Sequence, residues 1–259
     1  MIKYIPKDFK TILNKYKFID SWFWCRYSIN PYNGCEFACT YCDSRSHKYH
    51  LHPEFDQLIY VKNDVGAMLD DRLRRARTLL PDLVAMSGTC DAYQPAEANY
   101  KNTRQCLEVL LKYHYPVLIS TKSTLILRDL DILSRIAKDS WCSIGVTVTT
   151  LDRKLVGFLE PRAPLPEKRL DAIKEIKERC PEIQAGVNFI PIVPFLGDDE
   201  KNMEEVVSGA KDAGADFILF GGGMTLRDNQ ASWFLKRLSQ EFPYLGEKYE
   251  ELYQGKYTP

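Results

Sequence analysis

Short apolar runs alternate with amphipathic stretches along most of the chain. The apolar runs are rich in β-branched residues and end in polar or glycine residues, which predicts buried strands. Between them, apolar residues recur every three or four positions, which is typical of helices with one buried face. The predicted strands are 25–30, Asp82–Gly88, Pro116–Thr121, Trp141–Thr150, Ile183–Val193 and Ala215–Gly223. The predicted helices are about 97–113, about 129–137, Pro166–Arg179, the stretch from Met203 to Ala210, and a region from about 230 onward.

This alternation predicts an α/β fold in which helical crossovers connect the strands of a parallel sheet. Six strand–helix units favour a partial (β/α)6 TIM-like barrel with an open parallel sheet and short N- and C-terminal extensions. A doubly wound open sheet has the same periodicity and is the alternative architecture. No repeat or linker divides the sequence, so we expect a single domain over 1–259. Its expected parts are an N-terminal extension (1–24), a core (about 25–226) and a C-terminal helical segment (about 227–259).

The charge of the chain is balanced, with 35 Lys and Arg residues against 35 Asp and Glu residues. No overall field therefore attracts nucleic acid or an anionic membrane, although a local basic groove would be enough to bind nucleic acid. No apolar run approaches the roughly 20 residues that cross a bilayer, and the first 20 residues lack the apolar core of a signal peptide. We expect a cytoplasmic monomer that does not contact a membrane.

Three of the eight cysteines lie within eight positions, in the stretch "NPYNGCEFACTYC": Cys35, Cys39 and Cys42. Three thiolates on so short a loop suit an iron–sulfur cluster, and a four-iron cluster would then keep one iron open for a reactant. The alternative is a structural zinc site completed by His47, His50 or His52, in a binding module without catalysis. The isolated cysteines are expected to be small buried apolar residues; they include Cys106, Cys142 and Cys180.

The stretch "CEFACTYC" resembles the signature of the radical S-adenosylmethionine (SAM) enzymes, whose fold is a six-unit partial barrel. Three more stretches are similar to the spore photoproduct lyase-related, DNA-repair-photolyase-like branch: "SGTCDAYQPAE" (87–97), "STKSTLILRDLDIL" (120–133) and "TTLDRKLVGFLEPRAP" (149–164). The resemblance implies a [4Fe–4S] cluster on the three cysteines and SAM on its open iron. It also implies an electron donor such as flavodoxin or ferredoxin. Reductive cleavage of SAM would yield methionine and a 5′-deoxyadenosyl radical that takes a hydrogen atom from substrate.

The resemblance also implies which polar residues contact SAM. Lys122 follows a strand and would meet the carboxylate, and Asp91 would accept from the ribose hydroxyls. Thr147 and Thr149 alternate along one strand and are expected to face the same side. Tyr41 and Asn188 are candidates for contact with adenine.

Two charges in "LEPRAP", Glu160 and Arg162, are expected either to pair with each other or to reach the cofactor.

Spore photoproduct lyase returns a hydrogen atom from a cysteine a few residues before the aspartate that matches Asp91. Here Cys90 adjoins that aspartate, so Cys90 and Tyr93 are candidate hydrogen-atom relays, with ordinary packing as the alternative. The resemblance implies a nucleic-acid lesion or nucleotide as the substrate, and the alternative is a peptide or small metabolite. The aromatic run Trp22–Trp24 is expected to cap the bottom of the barrel, or else to stack on a planar ligand.

Overall fold

The computed structural model describes all 259 residues. The strands are β1 (Lys3–Lys7), β2 (Leu13–Lys15), β3 (Tyr27–Ile29), β4 (Tyr32–Asn33), β5 (Leu58–Lys62), β6 (Val84–Met86), β7 (Val117–Thr121), β8 (Cys142–Thr147), β9 (Gln184–Ile192) and β10 (Ile218–Gly222). The α-helices are α1 (Val65–Arg75), α2 (Ala96–Tyr100), α3 (Asn102–Lys112), α4 (Leu130–Asp139), α5 (Arg153–Leu159), α6 (Pro166–Arg179), α7 (Glu200–Asp212), α8 (Asp228–Glu241) and α9 (Gly246–Tyr253). None of these helices has the length and apolarity needed to span a membrane.

Six parallel strands form the main sheet, in the order β3-β6-β7-β8-β9-β10. Each strand therefore pairs with the next barrel strand along the chain, whereas a doubly wound sheet reverses its order at a switch point. The prediction of a partial six-unit barrel is confirmed. The first and last strands do not pair with each other, and β2 adds antiparallel to the free edge of β3.

The six predicted strands are all present, within shorter bounds than the apolar runs suggested. The predicted helix over 97–113 is wrong in one respect, because it divides into α2 and α3 at Lys101, whose φ of 53° is left-handed. The sequence pattern also missed α5 and a small separate sheet in the order β1-β5-β4. These elements are too short to show a clear period.

The main core lies between the barrel sheet and the helices around it. Every residue of β8 is buried, because helices cover one face of this central strand and the barrel interior covers the other. Cys106, Cys142 and Cys180 are buried in this core and form no disulfide, as predicted.

Inside the barrel, Gly145 of β8 leaves room for the side chain of Asn188 on β9. A Cβ at position 145 would lie 2.3 Å from Asn188 Nδ2. Asn188 Nδ2 is held there by hydrogen bonds to Ser120 Oγ at 3.2 Å and to the Gly145 carbonyl at 3.3 Å. The neighbouring side chain is thus fixed from two sides.

We expect Gly145→Ala to lower the free energy of unfolding by about 1–3 kcal/mol, because the added methyl overpacks this contact. Urea unfolding followed by circular dichroism measures the change. Gly157→Ala is the matched control, since a Cβ at Gly157 in α5 would meet no atom within 4 Å. Equal stability of the two variants would contradict the prediction.

Candidate active site

A cavity of about 570 Å³ lies at the carboxyl ends of the barrel strands. Its volume is in the range of small-molecule sites. Nine of the residues predicted from the sequence line it: Cys35, Cys39, Tyr41, Cys42, Cys90, Asp91, Lys122, Thr147 and Asn188. The sequence separates these residues by up to 153 positions, and the parallel strands bring them to one face because their carboxyl ends all meet there.

The cysteine loop follows the short strand β4. It turns at Ala38, whose φ of 54° is left-handed, and the three thiols face the cavity without forming a disulfide. The backbone N–H of Asp91 donates a hydrogen bond to Cys35 Sγ at 3.4 Å. Hydrogen bonds to sulfur are typical of thiolates that bind iron–sulfur clusters.

The thiols suit a group that brings positive charge. Burial raises the pKa of Cys35 well above its ordinary value and raises the pKa of Cys39 to about 12, although Lys122 opposes the shift at Cys39. These thiols therefore stay protonated at neutral pH unless a cation binds them, and a bound metal ionises a thiol outright.

The three thiols lie on one cavity wall, where a cubane cluster would take one thiolate on each of three irons. No group of three or more His, Cys, Asp or Glu side chains lies close enough together to hold one metal ion. In a cubane cluster each cysteine binds a separate iron, so its ligands are spaced more widely. The cavity wall also contains none of the three histidines of the zinc alternative, His47, His50 and His52. The geometry therefore argues against a structural zinc site.

The Asp91 carboxylate connects two strand ends. It accepts hydrogen bonds from Thr121 Oγ1 at 2.7 Å, from the backbone N–H of Lys122 at 2.8 Å and from the backbone N–H of Tyr93 at 2.9 Å. Burial nevertheless raises its pKa, because these donors only partly replace water. The carboxylate is thus committed mainly to protein groups at the end of β7.

Lys122 presents a free ammonium group at the cavity wall. Its Nζ makes no ion pair with a protein carboxylate and lies 5.5 Å from the centroid of the Tyr41 ring. Burial on its own would lower the pKa of Lys122, but the charge of the Cys39 thiolate, once that thiol is ionised, and the charge of Glu160 outweigh it and the pKa is raised. The side chain is therefore a cation at neutral pH.

Next to the cysteine loop, a fully buried ion pair joins Glu160 to Arg169 of α6. The Glu160 carboxylate also accepts from the Tyr41 hydroxyl and, at 3.3 Å, from Thr149 Oγ1. Burial by itself would raise the pKa of Glu160, but the charges of Arg169 and Lys122 outweigh it, so the pKa is lowered. The carboxylate is ionised and holds the aromatic residue of the cysteine loop in place.

The expectation that Arg162 pairs with Glu160 is wrong, and Arg162 does not line the cavity. Its guanidinium donates to the carbonyl oxygen of Asp56 at 2.8 Å. Arg169 takes the place beside Glu160 because α6 packs against the strand end, where Arg169 also donates to the Thr147 carbonyl at 3.0 Å.

Three further candidates lie away from the cavity wall: Tyr93, Thr149 and Glu160. Tyr93 is fully buried in the main core, which matches ordinary packing and not a relay. Thr149 lies beyond the end of β8, where strand alternation no longer applies, and its hydroxyl turns to Glu160. Thr147, the last residue of β8, does line the cavity.

Cys90 lies on the cavity wall with the three cysteines of the loop. Its Sγ donates to the carbonyl oxygen of Tyr32 at 3.4 Å. Burial raises the pKa of Cys90 to about 12, so the thiol keeps its proton at neutral pH.

Trp22 and Phe23 line the cavity, where the alternative expectation for the aromatic run, stacking on a planar ligand, needs them. Several other lining residues were missed by the sequence pattern. The segment Gly221–Gly223 at the end of β10 and the pair Thr258 and Pro259 also line the cavity; no pattern in their sequence signals this.

Arg169 was missed although the sequence carries a signal for it. Arg169, Ile173 and Ile176 have the spacing i, i+4, i+7, which places a charge on the buried stripe of α6. A charged residue on such a stripe needs a buried partner.

Comparisons with known proteins agree with this architecture. Residues 29–207 match the sequence model of the Radical SAM superfamily. A protein of Mycobacterium tuberculosis is 33% identical over 239 residues, which is 90% of this chain and 69% of that protein. A protein of Methanocaldococcus jannaschii is 32% identical over 176 residues, which is 68% of this chain and 63% of that protein.

Among solved structures, a spore photoproduct lyase variant with bound AdoMet and dinucleoside spore photoproduct aligns with a TM-score of 0.69 at 15% identity. The alignment covers 93% of this chain and 66% of the lyase. Streptococcus suis SuiB bound to its precursor peptide SuiA aligns with a TM-score of 0.55 at 17% identity, over 86% of this chain and 46% of SuiB. The cysteine-loop signature, the six-strand partial barrel and the family match agree, and the chain belongs to the radical SAM superfamily.

Proposed function

We propose that this protein is a SAM-cleaving radical enzyme with one [4Fe–4S] cluster on Cys35, Cys39 and Cys42. The observation that carries the proposal is the convergence of three free thiols and the unpaired Lys122 ammonium on one cavity. When bound, the cluster and SAM supply the chemistry, a one-electron cleavage that yields methionine and a 5′-deoxyadenosyl radical. An external donor of the flavodoxin or ferredoxin type supplies the electron.

The residues of the cavity wall would bind and orient SAM. Lys122 meets its carboxylate as a point charge. Thr147 and Asn188 offer polar groups at the ends of β8 and β9 for the ribose and adenine. Asp91 acts mainly by position, because its carboxylate fixes the backbone of Lys122 and its N–H contacts Cys35. Glu160 acts through Tyr41, which it anchors.

The proposed substrate is a nucleic-acid lesion or a nucleotide, and the aromatic side chains of Trp22 and Phe23 on the cavity wall support a planar substrate group. The alternative is a peptide or small metabolite, since SuiB, whose structure was solved with a precursor peptide, has a similar fold.

The function is tested by purifying the full chain without oxygen and loading it with iron and sulfide. We expect a brown protein that forms 5′-deoxyadenosine when dithionite and SAM are added. A colourless protein that binds zinc, unfolds with chelator and forms no 5′-deoxyadenosine would contradict the proposal and support the zinc-stabilised binding module.

Lys122→Met is expected to weaken SAM binding about 10- to 100-fold, because a charge-assisted contact is worth about 1.5–3 kcal/mol. Isothermal titration of SAM into the loaded protein measures the dissociation constant. Lys174→Met is the control, because Lys174 is exposed on α6 and makes no ion pair. An unchanged dissociation constant in Lys122→Met would remove Lys122 from the SAM site.

We propose Cys90 as the hydrogen-atom relay, because its protonated thiol lies on the cavity wall. Thiol hydrogens exchange with solvent, so 5′-deoxyadenosine formed in D₂O without substrate should carry deuterium. Cys90→Ala is expected to lower the deuterated fraction several-fold, as measured by mass spectrometry. A fraction equal to that of the unaltered protein would exclude this role.

A further inference from the structure

The surface segment from Tyr16 to Trp24 exposes five large apolar side chains within nine residues. Phe18 is 74% exposed, Trp22 56% and Trp24 75%, and Tyr16 and Ile19 are also exposed. Single exposed apolar residues are ordinary, but a cluster of this size on a soluble protein marks an interaction surface. Four of the five are aromatic.

This 16–24 segment is continuous with the active-site cavity. Trp22 belongs both to the exposed cluster and to the cavity wall, and Phe23 lines the cavity beside it. A ligand that binds along the segment can therefore reach the cavity without leaving the protein surface. The other aromatic lining residues, Phe37, Tyr41 and Tyr49, are not exposed, so this segment supplies the exposed rings of the cavity wall.

Hydrogen bonds fix the backbone that carries Trp22 and Phe23. The Asp20 carboxylate accepts from the N–H of Trp22 at 3.0 Å and from the N–H of Phe23 at 2.7 Å. The N–H of Asp20 donates to the carbonyl of Cys25 at 3.1 Å, which closes the loop. A preorganised aromatic surface loses less entropy when it binds a ligand.

Exposed lysines lie in the segment and directly before it in the sequence. Lys10, Lys15 and Lys17 are exposed, and none of them makes an ion pair. Lys17 Nζ lies 5.4 Å from the centroid of the Phe18 ring. The one acid within the segment, Asp20, is committed to the two backbone N–H groups. Lys15 donates a hydrogen bond to the carbonyl oxygen of Thr78 at 3.4 Å, whereas the Lys17 ammonium lies beside an exposed ring without a carboxylate partner.

Exposed aromatic rings beside unpaired lysines match the chemistry of a single-stranded nucleic acid. The rings stack on bases and the ammonium groups meet phosphates. A duplex fits less well, because its base faces are already stacked. A lipid surface also fits less well, because it would cover the adjoining cavity mouth and offer no planar groups for the rings.

We propose that the 16–24 segment is a binding platform for a single-stranded nucleic acid, and that it delivers one nucleotide of the bound strand into the cavity. The binding surface is inferred independently of catalysis, whereas the delivery of a substrate rests on the proposed radical function. Unpaired bases reach an enclosed site without the cost of leaving a duplex.

The test uses fluorescence anisotropy with the full chain and fluorescein-labelled 15-nucleotide strands, one of deoxyuridylates and one of uridylates, which differ only in the sugar. Trp24→Ala and Trp22→Ala are each expected to raise the dissociation constant about 5- to 150-fold, the value of one stacked base. Lys17→Ala should reduce the slope of log K against log salt. Trp141→Ala is the matched control, because Trp141 is an exposed tryptophan directly before β8 and outside the cavity wall.

Binding that is unaffected by Trp24→Ala, or equally tight for a 15-base-pair duplex, overturns the proposal. So does binding of the protein to phosphatidylserine vesicles, or self-association that Trp24→Ala abolishes, if neither labelled strand binds. A difference between the two strands identifies DNA or RNA as the ligand. The assay needs neither cluster nor SAM, so a protein that binds the strand but forms no 5′-deoxyadenosine contradicts the radical function and leaves the platform intact.

Discussion

Cys39→Ala protein is expected to lose the iron–sulfur absorbance and to form 5′-deoxyadenosine at least about 10³-fold more slowly than the unaltered protein. The three thiols of the 35–42 loop face the cavity, and Cys90 is the only other cysteine on the cavity wall. With one thiolate missing, a second iron would lack a protein ligand. Iron and sulfide analysis, absorbance near 400 nm and 5′-deoxyadenosine formation measure the loss.

Cys142→Ala is the matched control for this experiment. Cys142 is a buried cysteine too, but it lies in the main core at the start of β8 and not on the cavity wall. We expect this variant to retain its iron and its activity. If Cys142→Ala lost as much iron as Cys39→Ala, or if Cys39→Ala kept both iron and activity, the cluster would not reside on the 35–42 loop.

The second large effect is expected at the buried ion pair between Arg169 and Glu160. Both side chains are at most 1% exposed. Arg169→Met leaves the Glu160 charge in a dry environment without its partner, and such losses cost about 3–5 kcal/mol. Urea unfolding of the metal-free protein at neutral pH measures the decrease in the free energy of unfolding.

Two further variants separate the charge from the shape of the site. In Arg169→Met/Glu160→Gln no charge is buried, so the double variant should regain about half or more of the lost stability. Arg179→Met removes one partner of an exposed pair with Glu175 on the same helix, and it should cost less than about 1 kcal/mol. A single variant Arg169→Met that is as stable as Arg179→Met would show that the buried pair contributes little.

Arg169→Met is also expected to affect the cysteine loop of the active site. Glu160 accepts from the Tyr41 hydroxyl, and Tyr41 lies between two cysteines of the loop. Without Arg169, the carboxylate loses its neutralising partner and the anchoring of Tyr41 weakens. Poorer retention of iron by Arg169→Met than by Arg179→Met would connect the ion pair to the cluster loop.

Much of the fold follows from local pattern. All six barrel strands lie within the apolar runs, because a strand buried on both faces requires a continuous apolar stretch. The break between α2 and α3 at Lys101 was not predicted, since tertiary contacts there override helix propensity. The sheet β1-β5-β4 was not predicted either, because its strands have at most five residues.

The residues of the candidate site were also predicted from the sequence only in part. Cys35, Cys39 and Cys42 were found from spacing, because a short loop must supply a cluster's ligands locally. Lys122 and Asn188 were predicted to lie near strand ends, and parallel strands end at one face, whereas the resemblance assigned Lys122, Asn188 and Thr147 to SAM. Arg162 was mistaken for part of the site because two charges close in sequence look like partners, whereas Arg169 reaches Glu160 from another helix.

The sequence by itself therefore determined the alternation of strands and helices, the three thiols and the face on which the site lies, because these depend on periodicity and on short spacing. The strand order in the tertiary structure decided for the partial barrel and against a doubly wound sheet. Only the tertiary structure decided that Glu160 pairs with Arg169, that Tyr93 is buried in the core, and that Trp22 lines the cavity. These facts depend on contacts between segments far apart along the chain. Periodicity places a residue on the face of its own element, but the partner across the contact is set by how the elements pack.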